Sequence, residues 1–563
     1  MTARRLDLVF LWHMHQPDYR DRESGDFAMP WTYLHALKDY TDMAAHFERH
    51  PRMQGVVNFV PVLLDQIDDY VTQFASGDFR DPLLRLLAAA DLDALTVADR
   101  HVVLGACFRC NHPTMLAPFP HFQRLHNLYK SLVHEGEAAL AYLSSAYFAD
   151  LLVWYHIAWT GETERRQSSL LADLMAKGEG FSVADRQNLL AYIGETLSRL
   201  VPRYRALQAR GQIELSATPY AHPLSPLLLD FRSADESQPN APLPQTEHYP
   251  GGRERVLRHL DRAQLSHAAR FGDKPTGMWP AEGGLSADFV RLMAESSCRW
   301  AATGENVLIN SLRGKSPGAA YQPWQLTDAP GLAMFFRDDR LSDMIGFEYA
   351  KWHGRDAAAH FVAQLEAIAA AAPPDRTPLV SVILDGENAW EYYPYNGFYF
   401  FDDLYGLLEA HPAIRTRTYA EVLADPAFVV PASLPRLTAG SWVHGTLATW
   451  IGDPAKNHAW DLLCAAKHSY DQVLASGRLS LSETEAAEAQ LTVCESSDWF
   501  WWFGDYNPAE SVIGFDHLFR RNLASLYRCL NLLPPAQLDL PISTGRTDNA
   551  AVASGGTMRR ATD

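Results

Sequence analysis

Seven times along this chain, a short apolar run stops at polar residues able to do chemistry. Leu6–Trp12 leads into His13-Met14-His15-Gln16-Pro17, Gly55–Val60 into Pro61, and Gly211–Leu215 into Ser216–His222. Gly277–Pro280 leads into Glu282, and Trp300–Ala302 into Thr303-Gly304-Glu305. Met334–Phe336 leads into Arg337-Asp338-Asp339, and Val380–Leu384 into Asp385. Runs of this length, rich in β-branched and aromatic residues, predict buried strands. Helical patterns separate them, as in Asp185–Gln208 and Ala358–Ala371. Strands alternating with helices predict a parallel sheet, and polar residues collected at strand C-termini predict a (β/α) barrel. With seven strands the barrel is incomplete, so the fold class is α/β with a (β/α)7 barrel.

Two long connections, near residues 100–161 and 230–251, are expected to form lids or cleft walls. After about residue 420 the alternation fades. Asn457–Ser476, Ser482–Val493 and Gly514–Leu533 predict helices, so residues 421–542 are expected to form a mostly helical C-terminal domain. The tail Ser543–Asp563 is rich in Ser, Thr, Gly and Arg and is expected to be disordered. The chain, 563 residues and 47% hydrophobic, can bury a large core.

A formal charge of −18 argues against nucleic acid or an anionic membrane as partner and suits a neutral substrate. Met1-Thr2-Ala3-Arg4-Arg5 runs straight into the first strand without the apolar core of a signal peptide, and no apolar run is long enough to span a bilayer. Six scattered cysteines make no disulfide framework, and Cys107-Phe108-Arg109-Cys110 lacks the second pair of a zinc site. These features lead to the expectation of a cytoplasmic protein.

The chemistry concentrates in Leu384–Tyr393. Asp385, Glu387 and Glu391 stand among the rings of Trp390, Tyr392 and Tyr393 just past a strand. Unpaired carboxylates near a core are costly, so such an ending suits a pocket that grips and cleaves sugars. Glycoside hydrolysis needs two carboxyl groups, and Glu282, behind Trp279 and before Gly283-Gly284, reads as an exposed loop glutamate or, from its place at a strand end, as the second of them. His13 and His15 read as ligands for sugar hydroxyls, as a metal pair or as core histidines. The run from Arg337 to Asp343 reads equally as a surface ion-pair network or as a clamp, in which Arg337 orients a carboxylate and Asp343 accepts from a sugar hydroxyl. In Asp498-Trp499-Phe500-Trp501-Trp502-Phe503, part of the ring cluster is expected to plug a domain interface while one or two rings face the cleft. Walker, GxSxG and dinucleotide-binding patterns are absent from the sequence.

In this order these residues resemble glycoside hydrolase family 57, whose members act on α-glucans. His13–Pro17, Gly211–Glu214, Trp279–Glu282, Leu384–Glu387 and Glu495–Trp502 look like the five signature regions of that family. The resemblance implies an incomplete (β/α)7 barrel followed by a helical domain. It implies Glu282 as nucleophile and Asp385 as acid/base, with His13, His15, Glu214 and His222 holding the sugar at the cleavage point. Trp31, Trp279, Trp390 and Trp499 would be stacking platforms, with Glu387 and Asp498 as further binding groups. No metal or organic cofactor is implied, and the partner is an α-glucan or maltooligosaccharide. One departure is that the third region reads Trp279-Pro280-Ala281-Glu282, with its proline one place early. The fourth region is most similar to the amylase and amylopullulanase branch. Water or another sugar as acceptor stays open, as do α-1,4 and α-1,6 linkages. The rival readings are a metal-dependent deacetylase or mannosidase-like enzyme built on His13 and His15, and a glucan-binding protein without catalysis.

Overall fold

The computed structural model describes residues 4–428 and 430–545, so the tail beyond residue 545 lies outside the described residues. Ten strands occur in chain order: β1 (Leu6–Met14), β2 (Gly55–Phe59), β3 (Ile213–Ala217), β4 (Gly277–Met278) and β5 (Trp300–Gly304), then β6 (Trp324–Leu326), β7 (Ala333–Arg337), β8 (Leu379–Asp385), β9 (Ile414–Thr416) and β10 (Ala432–Leu434). The order β8-β1-β2-β3-β4-β5-β7 is parallel throughout, and β7 pairs with β8 to close the ring. This is the expected seven-stranded barrel. Its seams are uneven, since β1 pairs with β8 over seven positions while β7 meets β8 at one. β6 is antiparallel to β7 and extends the sheet outside the ring with β10, while β9 adds to β1.

Alternation along each strand sorts side chains into two populations. On β1, Leu8, Phe10, Trp12 and Met14 face the surrounding helices, whereas Val9, Leu11 and His13 point into the barrel. The inner apolar cluster, with Val56, Trp300, Ala302, Phe335, Leu379 and Ile383, fills the lower barrel. Polarity rises toward the strand C-termini, so the barrel is packed below and functional above.

The floor explains one misplaced expectation. β3 runs to Ala217, two residues past its expected end, which puts Glu214 near the strand's start. Its carboxylate accepts from Trp300 Nε1 at 2.8 Å and from the Ala420 amide at 2.9 Å, while Tyr419 stacks on Phe335 at 4.2 Å. Glu214 is therefore a floor residue rather than a sugar ligand. Burial pushes its carboxyl from 4.5 up to about 7. A group that holds its proton more tightly when folded adds stability below its unfolded pKa and loses it as pH rises. Between pH 4.5 and 7 the loss amounts to about 3 kcal/mol. Glu214→Gln removes this group's titration. Urea unfolding at several pH values is expected to show the variant gaining on the wild type by that order as pH rises through this window.

The connection from β2 to β3 is not irregular but carries a series of helices, among them Ser145–Ala158 and Val183–Ala209. The region after the barrel is helical, built from Pro454–Ala475, Leu481–Cys494, Ser497–Trp502 and Ala509–Cys529. All five rings from Trp499 to Phe503 are buried. Most of the cluster is a core plug: Phe500 stacks on Trp460, Trp502 on Phe515, and Trp499 and Phe503 pack on Phe519. A buried ion network joins the helical region to the barrel. Glu495 accepts from Arg255 Nε at 2.7 Å, His259 Nε2 at 2.8 Å and Tyr249 Oη at 2.6 Å. Burial would raise Glu495, but Arg255 and His259 overcome it and hold the carboxyl well below its usual range. This anchor places the residues that follow, Ser496-Ser497-Asp498, over the top of the barrel. All six cysteines are unpaired, and no helix among the described residues is long and apolar enough to cross a membrane.

Candidate active site

Four strand ends and one helical segment meet above the barrel. β1 supplies His13 and, just beyond it, His15; the segment after β3 supplies His222; the turn after β4 supplies Glu282; β8 ends on Asp385. The helix Ser497–Trp502 brings Asp498.

The histidines form a fixed array. His13 Nδ1 lies 2.7 Å from Asn58 Oδ1, His13 Nε2 lies 3.2 Å from His222 Nε2, and His222 Nδ1 lies 2.8 Å from Ser497 Oγ. One tautomer set satisfies every link. The Ser497 hydroxyl donates to His222 Nδ1, His222 Nε2–H to His13 Nε2, and His13 Nδ1–H to Asn58 Oδ1. His15 stacks on His222 with centroids 3.7 Å apart, and its Nε2 donates to Asp498 Oδ1 at 2.8 Å. Burial lowers His13 to about 3 and His222 well below its ordinary value, with the neighbouring imidazoles adding to both shifts. Both rings are neutral and so can donate and accept at once. His15, His222 and Asp498 also hold ligand atoms within 4.8 Å of one another, a set that suits a divalent metal.

The two carboxylates are held differently. Glu282 is 3% exposed and sits at φ 57°, ψ 23°, followed by Gly283 at φ 60°. A left-handed glutamate costs on the order of 1–3 kcal/mol and persists where its surroundings over-determine it. His222, at φ 59°, shares this feature. Glu282 Oε2 accepts from Trp442 Nε1 at 3.0 Å, and its carbonyl accepts from the Trp442 amide at 3.1 Å. Burial first, then Asp385 and Asp498, raise the Glu282 carboxyl well above its usual range, while the indole opposes the rise. Asp385 accepts from Asn388 Nδ2 at 2.6 Å. Burial lifts it to about 6, with Asn388, His15 and Arg337 holding it back. Asp385 is among the charges that raise Glu282, so the proton affinities of the two carboxyls are coupled. Gly386 makes the turn after Asp385 possible, because a Cβ there would lie 2.1 Å from Met14 Sδ.

Glu387, Trp279 and Arg337 border the pair. Glu387 is 2% exposed and raised by burial, Asp385 and Asp39. Trp279 lies inside the barrel between His13 and Trp442. Arg337 donates to the Ile383 carbonyl at 2.8 Å and pairs with Asp339 and Asp343, so Asp343 serves the arginine. Four buried polar atoms here have no partner among the described residues: His15 Nδ1, Trp279 Nε1, Glu282 Oε1 and Glu387 Oε2. Each costs about 1–3 kcal/mol unless a ligand satisfies it. Donors and acceptors so mixed, around two acids, fit a polyhydroxylated substrate.

Three of the tryptophans expected to stack on sugars are placed elsewhere. Trp31 packs against Trp159 and His35. Trp390 lies outside the barrel against Trp12 and Phe401, its indole donating to the Gly386 carbonyl. Trp499 is enclosed by Phe515 and Phe519. Glu214, on the floor, is also remote. Sequence reasoning missed Trp442, Asn58, Asn388 and Ser497. Trp442 had one readable signal: it stands in Gly440-Ser441-Trp442-Val443-His444, where a large ring has no periodic apolar company.

No curated protein sequence matches the chain. Solved structures do. A family 57 branching enzyme from Thermococcus kodakaraensis superposes with TM-score 0.57 at 15% identity, over 93% of this chain and 89% of that one. The family 57 branching enzyme of Pyrococcus horikoshii gives 0.55 at 14% identity over 99% of both chains. The α-amylase AmyC of Thermotoga maritima gives 0.55 at 12% identity over 94% of this chain and 93% of that one. At these identities the likeness establishes the fold. The sequence model of glycosyl hydrolase family 57 matches residues 9–430, most of the chain including both carboxylates and all three histidines, and the chain therefore belongs to glycosyl hydrolase family 57 and is a glycoside hydrolase of that class.

Proposed function

We propose that this protein is a retaining α-glucan hydrolase of the amylase or amylopullulanase type. The reading rests on one observation: Glu282 and Asp385 share a buried site in which both carboxyls are raised, beside unpartnered groups suited to hydroxyls. Ionised Glu282 attacks the anomeric carbon as protonated Asp385 delivers its proton to the glycosidic oxygen, and the leaving sugar departs. The sugar is then bound to Glu282 as a β-linked ester. Asp385, now ionised, takes a proton from water, which attacks the same carbon and restores the α configuration. His13, His15, His222 and Asp498 grip the hydroxyls of the sugar at the cleavage point. One carboxyl must be ionised and the other protonated, so activity is expected to fall on both sides of a pH optimum.

A second reading, transfer to another sugar in place of water, is favoured by the burial of Glu282 beneath Trp442, which restricts water at the ester. Incubation with maltoheptaose and with pullulan, with and without EDTA, separates the readings. Shorter oligosaccharides with rising reducing ends, resistant to EDTA, are expected. Longer and shorter products at constant reducing ends make the enzyme a transferase. Activity lost to EDTA and restored by a divalent ion would instead assign His15, His222 and Asp498 to a metal. Binding without any product would leave a glucan-binding protein.

A further inference from the structure

Among the described residues, five aromatic side chains are open to solvent: Tyr142, Trp352, Tyr395, Tyr399 and Tyr506. Three of them gather in one place. Tyr395 and Tyr399, 52% and 48% exposed, hold their rings 5.4 Å apart at nearly a right angle. Trp352, 43% exposed, joins them through the interior, packing on Tyr349, which packs in turn on Phe400 beside Tyr399. Gly354 lies so close that a Cβ there would sit 3.2 Å from the Tyr399 carbonyl carbon.

Topology places this patch. The helix Gly354–Ala371 leads down to the start of β8, so its first residue lies at the strand C-terminal face of the barrel. The helix Phe398–Ala410 follows β8, so it also begins at that face, and the two helices pack side by side. Trp352, Tyr395 and Tyr399 therefore stand at the rim of the face that carries Glu282 and Asp385. The loop from Asp385 leads to Tyr395 within ten residues.

The presentation is built. Tyr395, Asn396 and Gly397 have φ of 56°, 53° and 74°, so two non-glycine residues in succession accept the left-handed region. Asn396 is pinned beneath, accepting from Lys38 Nζ at 3.0 Å and donating to Asp42 Oδ2 at 2.8 Å. Arg166 packs its guanidinium against Tyr395 and Tyr399, donates to Tyr399 Oη at 3.1 Å and is held by Glu162 at 2.7 Å. Strain with a buried anchor keeps rings outside that an unconstrained chain would fold inward.

We propose that Trp352, Tyr395 and Tyr399 form a secondary platform for polymeric α-glucan, outside the catalytic pocket and on the same face. Flat rings with polar tips match a sugar, whose C–H faces stack and whose hydroxyls bond at the edges. A polymer whose cleaved bond lies at Glu282 and Asp385 continues beyond these buried groups, and its further sugars lie against the surface around them. A neutral chain also suffers no repulsion from a protein of charge −18. The inference rests on the α-glucan reading above.

The test is electrophoresis through native gels containing glycogen, with the Asp385→Asn protein, beside kinetics of the otherwise unaltered enzyme on glycogen and maltoheptaose. Trp352→Ala and Tyr395→Ala are each expected to weaken retardation about 10-fold, and the combined variant with Tyr399→Ala to abolish it. The combined variant should lose about 10-fold in kcat/KM on glycogen and keep its activity on maltoheptaose. Because the three rings are surface groups, melting temperatures are expected to hold. Unchanged retardation in the variants, or loss on both substrates alike, overturns the platform. A changed sedimentation coefficient in the variants makes the patch a self-association surface and also overturns it. Wild-type protein that acts on maltoheptaose without retardation by glycogen overturns the platform alone. Protein that does neither overturns the α-glucan reading with it.

Discussion

Glu282→Ala is expected to lower kcat on an unactivated α-glucan by about 10⁴-fold or more, and Asp385→Ala by about 10²–10⁴-fold. The two losses differ in kind, and azide separates them. In Glu282→Ala the small anion occupies the space of the lost carboxylate and attacks the anomeric carbon once, so the product is a β-glycosyl azide. In Asp385→Ala a substrate with a good leaving group still forms the ester on Glu282. Azide then needs no general base to attack it, and the product is an α-glycosyl azide. NMR of the two products reports which residue is which, and the opposite anomers would reverse the assignment. Neither loss is expected to come from unfolding. Glu282 is buried and repelled by Asp385 and Asp498, so its removal relieves a cost, and a Tm at or above that of the wild type should accompany inactivity.

The second large effect concerns Trp442. Its indole N–H donates to Glu282 Oε2, and its amide donates to the Glu282 carbonyl. Trp442→Phe keeps the amide bond and most of the packing against Trp279 but deletes the indole donor. A misplaced or protonated nucleophile is worth about 10²-fold in kcat, with KM changed little. The pH profile identifies the cause. The indole bond favours ionised Glu282, so without it the carboxyl, already raised by burial and by Asp385, rises further. The acidic limb of kcat/KM should therefore move to higher pH in the variant. A fall in kcat with an unmoved limb would leave Trp442 a packing residue.

These effects depend on contacts of different legibility. The barrel could be read because its strands are buried on both faces and so form near-continuous apolar runs, each interrupted where function begins. The histidines, Glu282 and Asp385 stood at such interruptions, and the structure gathers them. The tryptophans were less legible, because an indole at a strand end reads the same whether it faces a ligand or a neighbouring helix. Trp12 and Trp390 form an outer layer with Phe401, Trp499 lies inside the helical region, and Trp279 alone among the expected platforms faces the site. Glu214 was misplaced by strand length: two further residues before the strand ends drop a side chain from the mouth of the barrel to its floor.

The sequence by itself determined the seven barrel strands and the barrel class, and marked Glu282 and Asp385 as candidates, because burial and strand-end chemistry are local properties of short segments. The tertiary structure alone decided which groups serve those acids. Trp442 reaches Glu282 from 160 residues away, Asp498 reaches His15 from 483 away, and Ser497 reaches His222 from 275 away. Such pairs leave no periodicity, since the last two arise from docking the helical region onto the barrel through Arg255, His259 and Glu495, and the first from the segment that bridges Gly440 to Leu285. The raised carboxyls have the same origin: proton affinity follows burial and the charges nearby, and both exist only once the chain has closed over the site.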